Sequence, residues 1–135
     1  MAQIVLKDVT VSINAVDLST RATNVVINYE KEAVEVTAFG DNNRKFTDGL
    51  GNISATVTLQ QDFAAANVEA TIYPLVGTTT TVRFKPTSSA ISSTNPEYII
   101  TGAYLASHTP INGGVGELGT TELTFQGGSL AKSTT

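Results

Sequence analysis

Asn52-Ile53-Ser54-Ala55-Thr56-Val57-Thr58-Leu59-Gln60 alternates without a break. Ile53, Ala55, Val57 and Leu59 fall on one face of an extended chain, and Asn52, Ser54, Thr56, Thr58 and Gln60 on the other. A period of two marks a strand with one buried face. The opposite face is wholly polar, yet it carries no charge.

The same texture recurs on both sides of this stretch. Ile4 to Ile13 predicts a strand pair or a bent strand, because apolar parity switches near Lys7-Asp8 and a switch needs a bulge or turn. Asn24 to Glu30 predicts a second strand with Val25, Ile27 and Tyr29 on one face. Ala33 to Phe39 predicts a third with Val34, Val36 and Ala38 inward. Gly40 to Gly51 is polar, rich in turn formers and without period, so it reads as a long loop.

After Gln60 the chain offers its one helix pattern, Asp62 to Tyr73. Asp62 suits an N-cap, Ala64-Ala65-Ala66 has high helix propensity, and Val68, Ile72, Leu75 and Val76 form one stripe. Pro74 ends or kinks that helix. Thr79 to Lys85, Tyr98 to Ser107 and Thr120 to Gln126 predict three more strands, with a loop at Thr87 to Pro96 and a turn at Gly113-Gly114. Gly127-Gly128 opens a short tail to Thr135. About seven strands and one α-helix predict a mainly β fold, a β-sandwich or partly open barrel, as a single domain over residues 1–135.

Composition narrows the function. Charged residues make up 15% of the chain, against about 25% in an ordinary domain. Uncharged polar residues, chiefly Thr, fill the difference, and a charge-poor polar surface suits a sheet face or an interface. The net charge of −4, with Arg44-Lys45 the sole adjacent basic pair, argues against a phosphate-binding footprint. With no cysteine, neither disulfides nor thiolate chemistry arise. The N-terminus lacks the pattern of a secretory signal, and no run approaches a membrane span, so no membrane partner is expected.

Chemistry-bearing patterns are weak. His108 is the sole histidine and stands beside Pro110, so it reads as a surface residue in a turn. Asp41 and Asn43 begin a calcium-loop spacing, but Lys45 occupies the next ligand position and Leu50 breaks the pattern after Asp48-Gly49. Glu30, Glu32 and Glu35 read as an exposed strand edge rather than a glycosidase pair. Gly113-Gly114 and Gly116 lie between strands and open no helix, so they lack the basis of a phosphate loop. No catalytic residue, metal or cofactor is expected, and the chain reads as a structural module.

Two stretches resemble the small tail tube (major tail) proteins of long-tailed bacteriophages. One is Ala55-Thr56-Val57-Thr58-Leu59-Gln60-Gln61-Asp62 running into the helix, followed by Gly77 and Thr81-Val82-Arg83-Phe84-Lys85-Pro86. The other is Thr94-Asn95-Pro96-Glu97-Tyr98 with the strand pair ending Glu122-Leu123-Thr124-Phe125-Gln126-Gly127-Gly128. As an order of elements the resemblance covers nearly the whole chain. It implies a virion tail protein, made in the host cytoplasm, that forms hexameric rings stacked into a hollow tube. Sheets of neighbouring subunits would join into one barrel around a channel that DNA traverses without specific binding. It implies tape measure, tail terminator and baseplate proteins as further partners. The inter-ring loop of the family matches Gly40 to Gly51 here, with Asp41, Asn42, Asn43, Arg44, Lys45, Phe46 and Asp48 as its polar and aromatic residues. Terminal arms match about Ala2 to Asp8 and Ser129 to Thr135, with no module appended beyond.

Physical reasoning agrees with that resemblance. Ring closure would consume open sheet edges. The face made by Asn52, Ser54, Thr56, Thr58 and Gln60 suits a wet channel wall, and an acidic balance would let a phosphate polymer slide. The rival structural reading is a capsid decoration or tail-completion protein. A monomeric binding sandwich is a further rival, set back by the absence of Trp and the low aromatic content.

Overall fold

The computed structural model describes residues 5–64 and 67–134. Eight strands form one antiparallel sheet: β1 (Thr10–Ile13), β2 (Val16–Asp17), β3 (Ala22–Glu35), β4 (Phe46–Gln60), β5 (Thr79–Lys85), β6 (Glu97–His108), β7 (Thr120–Gln126) and β8 (Ser129–Ser133). A short helix α1 (Val68–Ile72) runs into a 3₁₀ turn at Tyr73–Leu75. The strand order is β2-β1-β5-β6-β7-β4-β3, with β8 added to β6. The fold is therefore mainly β, and the sheet is not closed.

The decisive stretch behaves as its alternation demands. Ile53, Ala55, Val57 and Leu59 are buried, and the five polar residues between and beside them are not. Register carries this row across the sheet: Ala55 lies opposite Ile27 and Phe125, and Val57 opposite Val25 and Leu123. The same core takes in Val11 and Ile13 of β1, Val82 and Phe84 of β5, and Ile100 and Leu105 of β6. One sheet reaches one core from both ends because it curls. Val25 and Ile27 of β3 share an apolar cavity with Phe84 and Tyr98 from the far side of the strand order. Val68 and Ile72, four apart on α1, complete this core as fully buried residues.

Five expectations change. The first strand is shorter than Ile4–Ile13. It starts at Thr10, and Ile4 lies outside the described residues. After Ile13 the chain reverses through Asn14 (φ 52°) and Ala15 (φ 66°), the paired left-handed conformations of a tight hairpin turn.

The second and third strands are one. β3 runs through Lys31-Glu32 with a register slip between Lys31 and Ala33, and Val34 and Val36 are exposed rather than inward. The expected loop Gly40–Gly51 is a loop only as far as Lys45. From Phe46 the chain is already in β4.

The helix is a fragment of the expected Asp62–Tyr73. Asp62 lies outside it, because its carboxylate is occupied by Arg21 at 2.7 Å and by the Ala64 N–H at 2.9 Å. Asn67 stands at the N-cap position instead. Ala65 and Ala66 of the alanine run lie outside the described residues.

The tail after Gly127-Gly128 is a strand. Gln126 lies opposite Tyr104 and Ser129 opposite Thr101, so β7 and β8 follow one another along a single edge of β6. The two glycines turn the corner between them, with φ of 74° and 85°.

Candidate assembly surfaces

The outer face of β3, β4 and β7 is the first surface. Asn24, Val26, Asn28 and Glu30 of β3 lie opposite Thr58, Thr56, Ser54 and Asn52. On the other side Thr120, Glu122, Thr124 and Gln126 lie opposite Gln60, Thr58, Thr56 and Ser54. The uncharged row seen in the sequence is thus the middle of a three-strand wall that is polar apart from Val26, which is 52% exposed. Its charges are the carboxylates Glu30 and Glu122, and no Lys or Arg stands at these paired positions. Sequence reasoning missed the flanking rows, because which strands adjoin β4 is set by topology.

The second surface is an arm. β7 pairs with β4 only along Ser54–Gln60, so Phe46 to Ile53 has β3 as its one sheet partner. Before Ile53, which is in the core, this two-stranded ribbon extends beyond the core and exposes Val34, Val36, Phe46 and Leu50. Phe39, at its tip, is 109% exposed. The tip is internally ordered. The Asp41 carboxylate accepts the Ala38 N–H at 2.8 Å and meets Lys45 Nζ at 3.0 Å, and these two partners, in that order, lower its pKa. Thr37 Oγ1 accepts the Lys45 N–H at 2.9 Å, Arg44 reaches Glu35 at 3.9 Å, and Asp48 pairs with Lys31 at 3.5 Å. The carboxylates of the calcium-like spacing therefore face lysines and backbone N–H groups. Asn42 and Asn43 are exposed at the tip.

Sheet edges are the third surface. β3 ends the strand order, so its outer edge along Ala22–Glu35 has no strand partner among the described residues. A 14-residue open edge is a template for pairing with another chain. Of the expected terminal arms, residues 1–4 lie outside the described set, while Val5 and Leu6 are exposed.

His108 is not a surface residue. Its side chain is 3% exposed at the end of β6. Nδ1 sits 2.8 Å from Thr121 Oγ1 and Nε2 sits 3.2 Å from Glu69 Oε1. These contacts tie α1 to β6 and β7. The hydroxyl beside the ring belongs to the fully buried Thr121, which makes the cluster a fastening of the helix. Glu69 as its partner was not legible, since the two are 39 residues apart.

No protein-family model and no curated protein sequence matches the chain. Its fold matches solved structures. A chain of the sheath–tube complex of the PVC extracellular contractile injection system, in its extended state, superposes with a TM-score of 0.74 at 11% identity, over 98% of this chain and 93% of that one. A chain of the sheath/tube terminator of the same system gives 0.74 at 12% identity, over 98% of both chains. A chain in the tail of an empty gene transfer agent particle, resolved with C6 symmetry, gives 0.54 at 16% identity, over 85% and 82%. The chain has the fold of phage-like tail tube and tube-terminator proteins.

Proposed function

We propose that this protein is the structural subunit of a tail tube. Six copies form a ring, rings stack into a hollow conduit, and DNA passes through it without specific binding. The observation that carries the reading is the conjunction on β3 and β4. A long unpaired strand edge borders a polar wall without cations, and an exposed arm projects from the same strands. The edge would join sheets between neighbours in a ring, the wall would face the channel, and the arm would reach the next ring. The six-fold symmetry of the gene transfer agent tail supports a ring of six. At its ends such a tube would meet tape measure, tail terminator and baseplate proteins, and it would reside in the virion tail after synthesis in the host cytoplasm.

A tube-terminating role is the second reading, favoured by the likeness to a sheath/tube terminator. Negative-stain microscopy and sedimentation of the purified protein separate the two. Long tubes of uniform width support the tube subunit. Single rings that never elongate support the terminator, and a protein that stays monomeric at high concentration defeats both.

A further inference from the structure

β4 occupies one edge of β3, and the other edge has no strand partner among the described residues. The start of that second edge is not bare. Leu6 to Val9, ahead of β1, border a cavity of about 290 Å³ whose opposite wall includes Ala22, Thr23, Asn24 and Val25. Successive strand residues point to opposite faces, so a cavity that touches all four lies against the edge of β3 and not on a face. Leu6 and Val9 also line the apolar cavity between Ile27 and Phe84, where the two ends of the curled sheet approach. Val9 packs against the core, while Leu6 is exposed.

This segment is tied down at Asp8. Its carboxylate accepts from Ser88 Oγ at 2.7 Å and from the Ser88 N–H at 3.3 Å. The hydroxyl first, then the N–H, hold the Asp8 carboxyl below its ordinary pKa. Ser88 belongs to a loop that is itself fixed. Buried Asn95 accepts the Thr87 N–H at 3.1 Å and donates to the Ser89 and Ala90 carbonyls at 2.9 Å and 3.2 Å.

We infer that Leu6–Val9 is a strap covering the start of the β3 edge in the free subunit, and that the Asp8–Ser88 contact is the latch which a strand of a second copy must open to pair there. The inference rests on the tube reading and goes beyond it by placing a brake on ring closure. A paired strand lies about 5 Å from its neighbour, so a partner running along Ala22–Val25 and the strap compete for one space. Covering an edge with a loop is a known means of keeping it from pairing. The strap thus acts within its own subunit, unlike an arm laid across a neighbour.

The chain has no cysteine, so an engineered pair is unambiguous. Asp8→Cys with Ser88→Cys, oxidised to a disulfide, should lock the strap and slow ring formation several-fold against the same protein reduced, as read by light scattering. Asp8→Ala removes both bonds and should shorten the lag before rings about threefold or more, with the melting temperature unchanged. An oxidised pair, confirmed by thiol titration, that assembles as fast as the reduced one overturns the latch. So does an Asp8→Ala protein that assembles at the wild-type rate or more slowly, or one whose shorter lag comes with a lowered melting temperature. If the pair does not oxidise, Asp8→Ala decides alone. In each of these cases wild-type rings and tubes leave the tube reading standing. Wild-type protein that never forms rings overturns that reading and the strap with it.

Discussion

Gly128 shows how one missing carbon shapes the sheet. A Cβ there would lie 2.5 Å from the Thr101 carbonyl oxygen and 3.0 Å from the Gly102 carbonyl carbon, at a φ of 85°. Gly127 shares the left-handed conformation, at 74°, but a Cβ on it would meet nothing within 4 Å. The two positions therefore separate conformational strain from steric conflict. Gly127→Ala should cost about 1 kcal/mol, the strain alone. Gly128→Ala should cost about 3 kcal/mol or more, because backbone atoms must move. Urea unfolding of both variants measures the difference. Equal losses would mean that close approach of backbone does not hold the β7–β8 corner. The sequence marks this place with two glycines, which fit a corner as well as they fit the start of a tail. What distinguishes them is the strand lying opposite, and a linear pattern does not contain it.

At the scale of elements, legibility followed burial. Ile53 to Leu59 alternates because one side of β4 packs on a core there, and the strand was readable residue by residue. Phe46 to Gly51 belongs to the same strand but packs on no core, so it has no reason to alternate and its turn formers read as a loop. Val34 and Val36 misled in the opposite way. They keep the strand period, but no other element among the described residues covers them. The α1 stripe of Val68 and Ile72 was legible, while its start was not, because Asp62 answers to Arg21, 41 residues away. The arm thus contributes little to the stability of the monomer. Replacing residues 31–51 by a two-residue Asn-Gly turn, which suits a tight hairpin, should change unfolding free energy by about 1 kcal/mol or less. The trimmed protein should still form rings, and those rings should fail to stack. Tubes of normal length from it would remove the arm from the contact between rings.

Across the whole molecule, three surfaces meet on β3 and β4. The open β3 edge runs along one side of the sheet, the polar wall covers its outer face, and the arm tip precedes the start of β4. On the proposed reading the edge would serve a ring, the face a channel and the arm a stack. The polar wall was legible as a row on β4, but its width and its carboxylates, Glu30 and Glu122, needed the neighbouring strands. The central claim concerns where that wall points. A helical reconstruction of the purified assembly by electron cryo-microscopy tests it directly. The account predicts a hollow tube with Asn52, Ser54, Thr56, Thr58 and Gln60 facing the axis and β3 of each subunit paired to a strand of its neighbour. A tube whose axis-facing surface is any other part of the sheet, or whose subunits bury this row between them, would contradict it.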